Sequence, residues 1–217
     1  MLIDANSKLV MIGDSITDAG RNYNAGEGWQ ESFGNGYVNL VNALLMSNYP
    51  EKKIRVVNKG INGNTIRDLK ARWKNDVLDL KPDWVSIMIG VNDAWRYFDC
   101  PLILENRVSE EEYRKTYEEM LSSIKPIVKG IVIMRPYMIE TNKTDAFRSK
   151  VESFAQISRE CAEKYDAVFV DTQKEFDEFS KVHYSAALSF DRVHPNTAGH
   201  MILAKAFLNA VKFDWNR

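Results

Sequence analysis

Five short apolar runs punctuate the chain: "KLVMIG" (8–13), "KIRVVN" (53–58), "WVSIMIG" (84–90), "GIVIMRPY" (130–137) and "AVFVD" (167–171). They are rich in Val and Ile and nearly continuous in apolar character, which is how strands covered on both faces read. The segments between them follow the helical period instead. After Gly36, the residues Tyr37, Val41, Leu44 and Leu45 fall at i, i+4, i+7 and i+8. The stretch "SEEEYRKTYEEMLSSI" opens with Ser109 and Glu112 in capping-box spacing and carries a stripe of Tyr113, Tyr117, Met120, Leu121 and Ile124. Residues 147–165, 172–183 and 197–212 read as further helices, the last with Leu203, Phe207, Ala210 and Val211 on one face. Strands alternating with helices predict right-handed crossovers and a parallel sheet covered on both sides. The expected architecture is one α/β domain over residues 1–217. It is a three-layer α/β/α sandwich around a flavodoxin-like, five-stranded parallel sheet of order 2-1-3-4-5. No repeat and no interdomain linker interrupts it.

Two connections exceed ordinary turns, residues 14–36 and 91–108. Loops beyond about 12–15 residues are usually functional or disordered. Both leave the carboxyl ends of their strands, where open parallel sheets bind ligands.

Composition narrows the classes of partner. Of 217 residues, 29 are basic and 30 acidic, giving a net charge of −1. That balance offers no electrostatic footprint for nucleic acid or an anionic membrane surface. Cys100 and Cys161 sit in no metal or redox spacing and are expected to be free thiols in a reducing compartment. The opening "MLIDANSKLVMIGDS" has neither a basic leader nor an apolar run long enough for a signal or a span, so the expected location is cytoplasmic.

The chemistry gathers at strand ends. The first strand breaks at Gly13 into "DSITD", which places Ser15 in a turn. A serine hydroxyl needs a base, a group to orient that base, and donors for an oxyanion before it can act as a nucleophile. Among His183, His194 and His200, only His194 has an acid, Asp191, three residues before it, in "FDRVHPNTAGH". An Asp-x-x-His turn can bring the carboxylate to the imidazole Nδ1–H and leave Nε2 free for a serine. Asn196 then reads as the cap of the last helix. His183 reads as a helix-end residue and His200 as part of the last helix. Oxyanion donors are expected from "NKGINGNT", through the Gly63 N–H, and from "GVND", through the Asn92 amide, together with the Ser15 N–H. Each piece alone is ordinary. A Gly-Asp-Ser triplet recurs by chance, and Asn-Gly is usually a turn. In strand order 2-1-3-4-5, however, the three strand ends that carry Ser15, Gly63 and Asn92 are neighbours.

With those residues in place, the sequence resembles the SGNH hydrolases, also called GDSL esterases, whose motif blocks centre on Ser, Gly, Asn and His. "GDSIT", "GINGNT", "GVND" and "DRVH" match the blocks through Ser15, Gly63, Asn92, Asp191 and His194, over residues 13–194. Thr17 stands where the Gly-x-Ser-x-Gly elbow of α/β-hydrolases has its second glycine, so that elbow is not the match. The stretches "VVNKGINGNTIRDLKARW", "KPDWVSIMIGVND" and "DRVHPNTAGHMILAKAF" resemble the intracellular bacterial acetylxylan esterases within this family. The resemblance implies the SGNH fold and a Ser15–His194–Asp191 acyl-enzyme mechanism on a small acetylated sugar, with no metal or organic cofactor. It also implies a possible homo-oligomer.

Asp14 reads as an acid that accepts backbone hydrogen bonds in its turn, and Asp93 as one that braces the Asn92 loop. Asp14 is also carried as a candidate substrate contact, with Trp95, Tyr184 and Phe190. Trp29, Phe33, Trp95, Tyr97, Tyr184 and Phe190 could supply stacking surfaces or be ordinary core aromatics. Arg55, flanked by apolar residues, needs a partner in an interface or the loop network. Two other readings stand beside the acetyl-sugar one. The first is the same chemistry on another ester, as a lysophospholipase, thioesterase or aryl esterase. The second is a non-catalytic carbohydrate-binding protein on the same fold.

Overall fold

Each apolar run becomes a strand in the computed structural model, which describes residues 1–217. The strands are β1 (Lys8–Gly13), β2 (Arg55–Gly60), β3 (Trp84–Met88), β4 (Gly130–Met134) and β5 (Val168–Val170). They form one parallel sheet of order β2-β1-β3-β4-β5. Eight α-helices surround it: α1 (Ser15–Asp18), α2 (Tyr37–Asn48), α3 (Ile66–Trp73), α4 (Val91–Trp95), α5 (Glu110–Ile124), α6 (Ala146–Lys164), α7 (Thr172–Ser180) and α8 (Thr197–Ala210). Helices α2, α7 and α8 pack together as one layer, and α3, α5 and α6 as another. One contiguous apolar core runs from Ile3 to Phe213.

Several boundaries differ from the sequence expectation, for identifiable reasons. Strand β2 starts at Arg55 rather than residue 53, because Lys53 is still in a left-handed turn with φ of 48°. It continues through the polar Asn58 to Gly60, because the buried Asn58 amide is satisfied. Its Nδ2 donates to the Thr17 and Phe33 carbonyls, both at 2.8 Å, and its Oδ1 accepts from the Gly60 N–H. Strand β4 stops before Arg135 and Pro136, since proline has no N–H for a ladder. The connections 14–36 and 91–108 are not structureless: they open with α1 and α4. Helix α3 was not expected from periodicity, although "TIRD" carries a start signal. Thr65 and Asp68 form a complete capping box. At Ser109 only half the box forms. The serine accepts the Glu112 N–H, while the Glu112 carboxylate holds Arg67.

The register levels three strand ends: Gly13 lies opposite both Gly60 and Met88. Helix α1 starts at once and crosses the end of β2. A Cβ at Gly60 would collide with the backbone of Thr17 and Asp18, and one at Gly13 with Thr17 Oγ1 and the Met88 carbonyl. The Gly60→Ala variant is therefore expected to lose about 1–3 kcal/mol of stability through overpacking. A urea midpoint equal to that of the wild type would remove this constraint.

Candidate active site

Because the three strand ends are level, the segments that leave them meet on one edge of the sheet. Asp14 caps α1 by accepting the Ile16 N–H at 3.0 Å, which makes Ser15 the first helical residue. A first-turn N–H has no intrahelical acceptor, so that of Ser15 points out of the helix end. From the far side of the sheet, the 191–194 turn brings in the histidine. Ser15 Oγ lies 2.7 Å from His194 Nε2, and His194 Nδ1 lies 2.6 Å from Asp191 Oδ2. With Asp191 on Nδ1, that nitrogen carries the proton and Nε2 is left to accept from the serine hydroxyl.

The turn itself is fastened. Asp191 Oδ1 accepts from the Ser189 hydroxyl at 2.8 Å and from the Val193 and His194 N–H groups at 2.9 and 2.8 Å. Arg192 takes a left-handed φ of 67°, and its guanidinium pairs with Glu140 and Asp145. The Arg192 carbonyl accepts from the Ile139 N–H, and the Val193 carbonyl from the buried Tyr137 hydroxyl. Burial pushes the Asp191 carboxyl up, but the hydrogen bonds from the His194 ring, the two backbone groups and Ser189 outweigh it. They hold the group well below the usual carboxylate range. Asn196 caps α8, accepting from the Ala198 and Gly199 N–H groups.

On the other side of Ser15, the turn after β2 carries Gly63 at φ 74°, a conformation suited to glycine. The Gly63 N–H has no acceptor within the protein. Asn92, buried on α4, spends one amide hydrogen on the Asn64 carbonyl at 3.0 Å and has a second to offer. Three further side chains lock this turn. Asp18 accepts the Asn62 N–H at 3.2 Å. Asp93 Oδ1 accepts the Ile66 N–H at 3.0 Å. Arg72 donates to the Gly13 and Lys59 carbonyls at 2.9 and 2.7 Å, to Asn64 Oδ1 at 2.7 Å, and to Asp76. One guanidinium thus ties the ends of β1 and β2 to the turn. Of the three, only Asp93 is visible in the sequence as a bracing residue. A mid-helix arginine leaves no local signal of such a role.

Not every candidate reaches the surface. Asp14 is 1% exposed and lies beneath the serine, so its expected contact with substrate is corrected: it serves its turn alone. Trp95 sits beside His194, ring centroids 5.9 Å apart. Tyr184 and Phe190 stand in solvent, Phe190 immediately before Asp191. Phe33 belongs to the core, and the Tyr97 ring is covered by Lys150 and Arg107. Arg55 finds its partner in the loop network, pairing with Glu27 at 2.7 Å. His200 is buried and accepts the Tyr37 N–H through Nδ1, and burial lowers it to about 4. His183, just past the end of α7, packs against the Phe179 ring at a tilt, centroids 5.0 Å apart. No three His, Cys, Asp or Glu side chains are grouped to hold a metal ion.

A family model described as the GDSL-like lipase/acylhydrolase family matches residues 11–202. An acetylxylan esterase of Geobacillus stearothermophilus is 52% identical over 217 residues, spanning 100% of this chain and 99% of that one. The crystal structure of that esterase, Axe2, superposes with a TM-score of 0.97 at 52% identity, covering 100% of this chain and 99% of that one. LAE5, an α/β hydrolase enzyme from the metagenome of Lake Arreo, gives 0.96 at 48% identity and 98% coverage of both chains. Structures of Axe2 carrying S15A, H194A and D191A are described as catalytic mutants of that protein.

Burial pushes both Asp14 and Asp93 up to about 7. The Asp93 Oδ2 has no partner, and burial favours the neutral form of this carboxyl. A carboxyl raised on folding contributes stability that is complete below its unfolded value and is lost as pH rises through its folded value. The Asp93→Asn variant keeps the acceptor for Ile66 and stays neutral. It should therefore gain on the wild type between about pH 4 and 7, by at most about 1.4 kcal/mol per pH unit. A stability gap that stays constant across that range in urea titrations would show that Asp93 is ionised in the fold.

Proposed function

The chain belongs to the GDSL-like lipase/acylhydrolase family, and we propose that it is a serine esterase that removes O-acetyl groups from acetylated xylo-oligosaccharides. The observation that carries this reading is the continuous relay from Ser15 Oγ through His194 to Asp191. Ser15 Oγ attacks the acetyl carbonyl carbon while His194 Nε2 takes its proton. Collapse of the tetrahedral intermediate expels the sugar oxygen, which receives that proton from the imidazolium. Water then attacks the acetyl-enzyme by the same route and releases acetate. Asp191 fixes the imidazole with Nδ1 protonated and stabilises the imidazolium. The Ser15 and Gly63 N–H groups and the Asn92 amide hold the oxyanion. The descriptions of the Axe2 mutants as catalytic support the same three positions here.

The substrate reading rests on the acetylxylan esterase relative and on the character of the surface. The groove that contains Gly63 is lined by Gly63, Thr65, Arg67, Asp68, Arg96 and Asn106, with no apolar side chain among them. A long acyl chain laid there would bury no hydrocarbon against hydrocarbon, which weighs against a lysophospholipase. Tyr184, Phe190 and Trp95 are proposed as sugar-facing rings. No helix is long and apolar enough to cross a membrane. The free thiols of Cys100 and Cys161 support a cytoplasmic location. The exposed ring of Trp29 supports association into a homo-oligomer.

Ser15→Ala is expected to reduce acetate release from acetylated xylo-oligosaccharide to background while leaving circular dichroism and melting intact. Wild-type turnover by that variant would end the proposal. Asn92→Ala should lower kcat by roughly 10²–10³, the effect of losing one oxyanion donor. A loss of only a few fold would take Asn92 out of that role.

A further inference from the structure

The leaving sugar oxygen must sit against the imidazole that reprotonates it, so the alcohol side of the ester lies on the His194 side of Ser15. A strip of aromatic rings begins there. The Trp95 ring lies 5.9 Å from the His194 ring, Phe147 lies 5.4 Å from Trp95, and Phe98 lies 5.4 Å from Phe147. Two separate elements build it. Trp95 ends α4, Phe98 sits in the next turn, and Phe147 comes from the first turn of α6. Core packing accounts for Trp95 and Phe147, which are half-buried against the core, but not for Phe98. That ring is 42% exposed and lies outside the apolar core.

We propose that Trp95, Phe147 and Phe98 form a platform for the β-linked xylopyranosyl residues that flank the acetylated one, so that the enzyme selects for chain length. This rests on the acetyl-sugar reading above. A β-xylopyranose carries its substituents equatorially, so both of its faces present C–H groups with partial positive charge. An aromatic ring presents a negative face to them. A single ring beside the imidazole would serve an acetylated monosaccharide. Three rings leading away from it offer contact to further sugars of the same chain, and such remote contacts can be used to orient the reacting ester. Phe147 was not visible as a candidate in the sequence, because it is brought to Trp95 only by the docking of α6 on α4.

The test compares steady-state acetate release from acetylated xylobiose and acetylated xylotetraose, with p-nitrophenyl acetate alongside, for the wild type, Phe98→Ser and Phe147→Leu. The wild type is expected to favour the longer chain. Each variant should lower kcat/KM for the tetraose about three- to tenfold, with a smaller effect on the biose and on p-nitrophenyl acetate. Phe98 is exposed, so Phe98→Ser decides the matter if Phe147→Leu does not fold. Equal kcat/KM for both sugars in the wild type, or an unchanged kcat/KM for the tetraose in Phe98→Ser, overturns the platform and leaves the esterase standing. Hydrolysis of p-nitrophenyl acetate with release from neither sugar overturns the substrate reading and the platform together.

Discussion

A helix can lie across the ends of two adjacent strands only where those strands present no side chain to it. Gly13 and Gly60 provide that absence at paired positions, and α1 occupies the space. The site depends on this contact. It brings the Thr17 carbonyl to the Asn58 amide, Asp18 to the turn that bears Gly63, and the Gly13 carbonyl to Arg72. It also sets Ser15 at the level where the 191–194 turn can reach it. These are buried or half-buried hydrogen bonds between main-chain and side-chain groups, which are costly to leave unmade. A small shift of α1 would break several of them together.

The same edge holds two kinds of carboxyl group, sorted by their surroundings. Asp191 is partly open to water and accepts four hydrogen bonds, so it keeps its charge and can stabilise an imidazolium. Asp14 and Asp93 are enclosed, with one backbone donor each from outside their own residue, and burial favours their neutral form. Each adjoins a group proposed to hold the oxyanion, Asp14 next to Ser15 and Asp93 next to Asn92. A fixed negative charge at either position would oppose a developing negative oxygen. A neutral carboxyl braces the turn through its carbonyl oxygen without that penalty.

Sequence patterning carried the fold a long way because the strands are buried on both faces and therefore read as unbroken apolar runs. The strand order followed from the doubly wound β/α pattern, and the grouping of Ser15, His194 and Asp191 from strand ends and an Asp-x-x-His turn, which are local signals. The features that stayed hidden depend on distant parts of the chain. Glu112 reads as half of a capping box, yet it faces Arg67 across the α3–α5 contact. Asp14 looks like a surface acid in a polar turn, and only the stacking of α1 on the sheet ends encloses it. The partner of Arg55 lies in a connection whose path no local rule fixes, and Arg72 reaches three segments that meet only in three dimensions.

The relay stands at an open surface, with the side chains of His194 and Asp191 45% and 42% exposed. Water at such a site weakens each electrostatic contact that the chemistry uses, and the enzyme has no deep pocket wall there to exclude it. A bound substrate can supply that exclusion. A flat, semi-rigid sugar chain laid beside the imidazole would cover the relay as it binds, whereas a small aryl or acetyl ester would leave it wet. Fastening of the 191–194 turn by Tyr137, Ile139, Glu140 and Asp145 makes the relay itself rigid before substrate arrives. The tasks then left to binding are desolvation and placement of the ester. An extended ligand contributes more to both than a short one, which is the physical case for recognition along the chain rather than within a pocket.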